Sequence, residues 1–197
     1  MIVIVDYGAG NLRSVQNTLD EIGVTYRVTT TPEGLDGASK VILPGVGHFG
    51  QLIRAMDERG LRTPVLDVIR RGTPFLGICL GLQALFESSE ESPGLTGFGL
   101  FEGTVCRFPP HARVPHMGWN QLERRHASRL LEGLPEQPYV YFAHSYYAPV
   151  VGGTVASCTY ETAYTAVLEQ GNVFGVQFHP EKSGPAGIAI VRNFVEL

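Results

Sequence analysis

Pro74-Phe75-Leu76-Gly77-Ile78-Cys79-Leu80-Gly81-Leu82-Gln83 is the stretch whose reading decides the fold. It starts as a short apolar run with the pattern of a buried strand. It bends through Gly77 and Gly81, and the continuation Leu82-Gln83-Ala84-Leu85-Phe86 reads as helix. A small residue two positions either side of one polar atom marks a nucleophile elbow, here Gly-x-Cys-x-Gly in place of Gly-x-Ser-x-Gly. So sharp a strand-to-helix turn requires glycine, because a Cβ at either flanking position would clash. The turn leaves the thiol at the sheet edge, where a helix N-terminus favours its thiolate form. A structural cysteine buried between two packing glycines accounts for the same ten residues equally well.

Outward from this stretch, strands and helices alternate. Residues 1–6 form an apolar strand, and Asn11 stands where a cap would open a helix carrying Leu12, Val15, Leu19 and Ile22 on one face, with Gly23 as its stop. Val24 to Thr30 is strand-like, and Lys40-Val41-Ile42-Leu43 is a short buried strand leading into Pro44-Gly45-Val46-Gly47. Phe49, Leu52, Ile53 and Met56 then mark one helix, and Val65, Leu66 and Ile69 another. Such alternation predicts a mostly parallel central sheet with helices on both faces. From about residue 93 the pattern changes to short β-like runs (102–108, 139–142, 154–160, 163–169 and 173–178) separated by Gly and Pro turns. These predict antiparallel strands added to the sheet edge, or a small second sheet, in the C-terminal half. Pro185 is placed to open a final helix packed through Ile188, Val191 and Phe194. The expected fold class is α/β, with residues 1–197 as one domain.

Composition narrows the function classes. The 197 residues are 44% hydrophobic and 17% charged, enough for a sizeable core. A net charge of −4 gives no reason to expect a nucleic-acid partner. No run approaches the ~20 apolar residues of a membrane span. Met1 to Val5 is apolar, but Asp6 interrupts it and no basic region or cleavage site accompanies it, so a signal peptide is not expected. Cys79, Cys106 and Cys158 are odd in number and far apart, which argues against a disulfide framework or zinc cluster and suits a reducing cytoplasm. The histidines show no metal-ligand spacing, so no metal is expected.

Two motifs carry chemistry alongside Cys79. Val176-Gln177-Phe178-His179-Pro180-Glu181 ends a strand-like run. If His179 and Glu181 stay extended, positions i and i+2 project to one side, so an imidazole and a carboxylate become a base and its orienting partner. With Cys79 they complete a nucleophile, base and orienter. A surface turn is the commoner fate of His-Pro-Glu taken alone. Gly45-Val46-Gly47-His48-Phe49-Gly50 matches a dinucleotide-binding Gly-x-Gly-x-x-Gly between strand and helix. It follows a later strand of the series, however, and no acidic residue ends a strand ~20 positions on. Backbone N–H groups aimed at a developing oxyanion are a second use for such a loop, and a plain loop is a third. Met117-Gly118-Trp119-Asn120 holds the lone Trp, either as a core anchor or as a contact for a partner protein.

Taken together, Gly-Ile-Cys79-Leu-Gly with Gln83, Pro44-Gly45-Val46-Gly47 and His179-Pro180-Glu181 resemble the triad-type, class I glutamine amidotransferases. More narrowly, the chain is similar to the glutaminase subunits of imidazole glycerol phosphate synthases, of histidine biosynthesis. The narrower likeness lies in Asp6-Tyr7-Gly8-Ala9-Gly10-Asn11-Leu12, Pro115-His116-Met117-Gly118-Trp119-Asn120, His144-Ser145-Tyr146 and Phe178 through Ser183. The resemblance implies a Cys79–His179–Glu181 triad that hydrolyses glutamine to glutamate and ammonia. It implies oxyanion donors from the Gly45-Val46 segment and Leu80, glutamine contacts from Gly47, Gln83, Ser145 and Tyr146, and no cofactor. It also implies a (β/α)₈ cyclase subunit as heterodimeric partner, receiving ammonia to make imidazole glycerol phosphate and aminoimidazole carboxamide ribotide, with Asn11, Trp119 and Lys182 at or near the interface. A stand-alone cysteine hydrolase of γ-glutamyl or peptide bonds shares the triad and stays open as the alternative; a nucleotide-binding module using Gly45–Gly50 is a more distant one.

Overall fold

The computed structural model describes residues 1–197. Its first part alternates β1 (Ile2–Val5), α1 (Leu12–Ile22), β2 (Tyr26–Thr29), β3 (Lys40–Gly45), α2 (Phe49–Glu58), α3 (Arg62–Arg70), β4 (Phe75–Cys79) and α4 (Leu80–Gln83). Strands then dominate: β5 (Phe86–Ser89), β6 (Phe101–Arg107), β7 (His116–Gln121), β8 (Glu123–Arg124), β9 (Tyr139–His144), β10 (Tyr146–Tyr147), β11 (Thr154–Tyr160), β12 (Thr162–Gln170) and β13 (Val173–Val176), before α5 (Gly184–Glu196).

The main sheet runs β2-β1-β3-β4-β13-β12-β11-β8. The strands from β2 to β13 pair in parallel, and β12, β11 and β8 continue antiparallel. The inner strands β1, β4 and β13 are buried along their whole length, as a sheet covered on both sides requires, whereas the edge strand β2 (Tyr-Arg-Val-Thr) is largely unburied. On β1, Ile2 and Ile4 join a core with Val15 and Leu19 of α1 and Ile190 and Phe194 of α5. Val3 and Val5 point the other way, toward Phe49, Leu52, Val65 and Ile69 of α2 and α3. Two small sheets, β10-β6-β5 and β7-β9, complete the C-terminal half. The expected α/β architecture is thus observed, with helices on both faces.

Three local expectations are corrected. The 173–178 run is not an edge addition: β13 lies inside the sheet, parallel to β4 and antiparallel to β12, with all of Val173–Val176 buried. The helix after the elbow is only Leu80–Gln83, and Phe86 already begins β5. Tertiary hydrogen bonds override helix propensity there, because the Ala84, Leu85 and Glu87 carbonyls accept from the amides of Phe98, Leu100 and Gly97. Asn11 sits at the N-cap of α1 without a side-chain cap hydrogen bond; its amide is engaged elsewhere.

Candidate active site

The elbow puts Cys79 at the carboxyl end of β4 with φ +53° and ψ −104°. A positive φ in a non-glycine residue costs on the order of 1–3 kcal/mol and persists only where surrounding packing imposes it. Here that packing is glycine against backbone. A Cβ on Gly81 would lie 2.0 Å from the Leu43 carbonyl oxygen, and one on Gly77 would lie 2.5 Å from that of Gly81. One on Gly45, paired in register with Cys79, would stand 2.8 Å from the Gly81 nitrogen. β3, β4 and α4 therefore approach as only glycine allows, and the thiol is raised into a cavity. With four residues α4 has little macrodipole; what it offers is its first N–H groups, Leu80 among them, which lack intrahelical acceptors.

His179 and Glu181 meet Cys79 from β13. His179 is extended (φ −98°, ψ 97°), but Pro180–Lys182 coils into a 3₁₀ turn instead of continuing as strand. That turn, not i, i+2 projection along a strand, brings Glu181 Oε1 within 2.9 Å of His179 Nδ1. The pair is nearly solvent-free, with side chains 4% and 2% exposed. The His179 amide donates to the Tyr141 carbonyl, and Ser183 Oγ donates to the His179 carbonyl, so the backbone is anchored on both sides. Burial pushes the His179 pKa down, yet hydrogen bonding to Cys79 and to Glu181, together with their charges, lifts it to about 10. The imidazole therefore carries its proton at neutral pH, with the Cys79 sulfur and the Glu181 carboxylate as its two partners.

The cavity above Cys79 measures about 170 Å³, below the ~300 Å³ at which drug-sized pockets begin; it suits a ligand the size of an amino acid. Val46, Gly47, Cys79, Leu80, Gln83, Ser145, Tyr146 and His179 line it together with Glu91 and His144. Most of the residues picked out in the sequence thus converge on one space. Gly45 and Glu181 stand behind it.

The 45–50 loop does not bind phosphate through its helix. The α2 N-terminus is already satisfied, since the Phe49 amide donates to Glu91 Oε2 (2.7 Å) and the Gly50 amide donates to His48 Nδ1 (3.1 Å). The position a phosphate would take holds a carboxylate. Val46 is held from the opposite side. Its N–H donates to Tyr7 Oη and its C=O accepts from the same hydroxyl, both at 3.3 Å. In this conformation the Val46 amide is therefore engaged by Tyr7, whereas Leu80, at the start of α4, lines the cavity.

Asn11 and Trp119 fall in different places. Asn11 Nδ2 donates to Glu181 Oε1 at 3.1 Å, so it buttresses the His179–Glu181 pair. Trp119 is 55% exposed, which rules out a core anchor. With the exposed Met117 and Tyr139 it forms an apolar patch on the outer face of β7 and β9. Trp119 packs edge-on to Tyr141, and the Lys182 ammonium stands 5.9 Å from the Tyr141 ring centroid. Four participants received no role from the sequence, although all but Glu91 stand in the motifs quoted above: Tyr7, Glu91, His144 and Gln177. Gln177 left a trace, being a polar residue inside an apolar strand-like run; the others become legible only once the chain is folded.

The class-I glutamine amidotransferase family model matches residues 3–197. The chain is 51% identical over 198 residues to imidazole glycerol phosphate synthase subunit HisH of Methanothermobacter thermautotrophicus, covering 100% of this chain and 98% of that one. It is 47% identical to the HisH subunit of Deinococcus radiodurans, covering 98% and 92%. A crystal structure of a glutamine amidotransferase superposes with a TM-score of 0.79 at 22% identity, covering 100% of this chain and 98% of that chain, which shows the shared fold. This chain belongs to the class-I glutamine amidotransferase family and, within it, to the HisH subunits of imidazole glycerol phosphate synthase.

Proposed function

We propose that the chain, as one domain spanning residues 1–197, is the glutaminase subunit of an imidazole glycerol phosphate synthase, working through Cys79, His179 and Glu181. The observation that carries the triad is the buried His179, its Nδ1 2.9 Å from Glu181 Oε1 and its ring lining, together with Cys79, an amino-acid-sized cavity.

The Cys79 thiolate attacks the side-chain carbonyl carbon of glutamine, forming a C–S bond as the C=O electrons move onto oxygen. The Leu80 amide faces that oxyanion. One such donor is typically worth ~3–4 kcal/mol of barrier. The intermediate collapses by breaking its C–N bond, and nitrogen leaves as ammonia with the proton of His179. Sulfur is now a neutral thioester, so one of the main influences raising the His179 pKa has gone and burial draws it down. The imidazole becomes a base when one is needed. It takes a proton from water, the hydroxide equivalent adds to the thioester, and C–S cleavage returns thiolate and leaves glutamate. Glu181 holds the ring and balances the imidazolium throughout. Gln83, Ser145 and Tyr146 surround the substrate, and the Glu91 carboxylate suits its α-ammonium.

Ammonia released into water at pH 7 would be mostly protonated and lost as a nucleophile, so it must pass directly to an acceptor enzyme. Its reading as a synthase subunit gives that acceptor as a (β/α)₈ cyclase subunit in the cytoplasm. The Met117, Trp119, Tyr139 and Lys182 patch supports docking next to the triad, because Tyr141 carries Trp119 on its ring and His179 on its carbonyl. Tyr7, by engaging the Val46 amide, supports a site that is incomplete until the partner docks.

Glutamate release by this chain alone and with the cyclase subunit tests the reading. The expected result is little activity alone, a large rise in the complex, and none in Cys79→Ala with partner binding retained. Strong activity alone, unaffected by the cyclase, would replace it with a stand-alone cysteine hydrolase on the same triad.

A further inference from the structure

Gln177 is fully buried immediately after β13, and its Nε2 lies 3.6 Å from Cys79 Sγ. Which end of its amide faces the sulfur is fixed by a chain of donors and acceptors that starts at a backbone carbonyl. The Tyr146 C=O can only accept. Gln83 is 2.7 Å from it and so presents its NH₂. That same NH₂ lies 3.1 Å from Gln177, which must therefore offer its oxygen there. The NH₂ of Gln177 is left facing Cys79, and an amide NH₂ has no acceptor capacity.

The far side of the Tyr146 carbonyl supports this direction. His144 Nδ1 lies 2.8 Å from it, His144 Nε2 lies 3.3 Å from Tyr164 Oη, and Tyr164 Oη lies 3.2 Å from His116 Nδ1. Burial holds His144 and His116 neutral, with pKa values lowered to about 3 and about 4. A neutral imidazole has one N–H, so the chain runs one way: His116 donates to Tyr164, Tyr164 to His144, and His144 to the carbonyl that orients Gln83.

We propose that Gln177 is an obligate hydrogen-bond donor to the Cys79 sulfur, favouring its thiolate in the resting site and receiving it again as leaving group when the thioester hydrolyses. The proposal rests on Cys79 being the nucleophile. The other groups facing the sulfur do not duplicate the role. Tyr7 and Tyr164 are kept protonated by burial, Tyr7 with a pKa of about 12, and both are coupled to Cys79 only through space. His144 and Glu91 on the cavity wall are neutral and committed to the Phe49 amide, respectively. His179, backed by Glu181, gives up its proton during the reaction. The Gln177 amide has no proton to lose and so still donates at the step where the C–S bond breaks.

The test uses the full chain alone and needs no glutamine turnover. Iodoacetamide alkylation is followed from pH 5 to 10 on the Cys79 peptide by mass spectrometry, which separates it from Cys106 and Cys158. In Gln177→Met the rate profile is expected to move to higher pH by about one unit, corresponding to about 1.4 kcal/mol and a tenfold slower reaction near neutral pH. Gln177→Glu, which keeps the volume but turns a carboxylate toward the sulfur, is expected to move it further the same way. Profiles superimposed on wild type would overturn the proposal. If Gln177→Met does not fold, the isosteric Gln177→Glu decides alone by the same criterion. Turnover in the cyclase complex that survives Cys79→Ala would instead overturn the nucleophile assignment, which keeps the two failures distinct.

Discussion

Tyr7→Phe should raise the glutaminase rate of the free chain. The Tyr7 ring is 2% exposed and packs with Val5, Leu43 and Phe49, contacts that Phe keeps. What is removed is the hydroxyl that accepts from the Val46 amide and donates to the Val46 carbonyl, each at 3.3 Å. Both contacts are at the long end for hydrogen bonds, so together they hold the peptide by about 1–2 kcal/mol. Without them the present orientation of the Val46 peptide loses that much, whereas an orientation with its N–H toward the cavity loses nothing. The equilibrium should shift by a factor of about 5–30, and the free-chain kcat should rise in proportion with KM little changed, since the second oxyanion donor acts mainly in the transition state. In the cyclase complex the variant and wild type should agree closely, as expected if docking sets the loop. The assay is coupled glutamate detection with and without the cyclase, accompanied by a thermal melt. A free-chain rate that stays level or falls in a protein that melts cooperatively would refute the reasoning, because the orientation of Val46 would then not limit the free enzyme.

The remaining predictions concern the triad's charge and the exposed patch. His179 has a folded pKa of about 10 against 6.5 for the free side chain; the stability it contributes is complete below about pH 6.5 and is lost as pH rises through about 10. Cys79→Ala removes a main raising influence, so the His179 ring should titrate far lower by NMR and the alkaline loss of stability should shrink; an unchanged titration would disprove the thiolate–imidazolium pairing. Trp119→Ala, at an exposed position, should alter stability by no more than about 0.5 kcal/mol. It should weaken cyclase binding by about 2 kcal/mol, roughly thirtyfold, as read by titration calorimetry, and unchanged affinity would remove the patch from the interface.

The parallel half of the fold was legible because its inner strands are short apolar runs between turn residues, β2 is β-branched at Val28 and Thr29, and each helix shows one apolar face. The elbow was legible for a stricter reason: Gly45, Gly77 and Gly81 sit where backbone meets backbone, and their spacing about Cys79 records that contact in the chain itself. The place of β13 was hidden, since an apolar run does not state its neighbours, and insertion beside β4 is decided by the long excursion from β5 to β12. The short α4 was hidden too, because the amides that capture the carbonyls of Ala84 and Leu85 come from residues 98–101. For the site, His179 and Glu181 were picked out by their proximity in sequence, though the assumed strand geometry gives way to a 3₁₀ turn. Gln177, His144 and Tyr7 act through partners 94, 20 and 39 positions away, and no local pattern encodes such pairings.

Asn11 shows why the distinction between triad and interface is not sharp in this molecule. Its position in a motif shared with partner-docking subunits placed it near the interface, whereas its side chain holds Glu181 at 3.1 Å. Glu181 Oε2 has no partner in the chain, although its carboxylate is almost wholly buried. One oxygen thus carries both Asn11 and His179 while the other is unsatisfied, a costly arrangement for a buried anion. The protonated imidazole makes it tolerable, since His179 supplies the balancing charge as long as the sulfur keeps that proton in place. The His179 imidazolium and the Glu181 carboxylate are therefore stable only as a set, with the Cys79 sulfur beside them. The set is fixed by the Tyr141 carbonyl on one side and by Asn11 on the other, and Tyr141 also supports the exposed Trp119 face. A partner that orders this face acts on the backbone that aims His179, without needing to touch the reacting atoms.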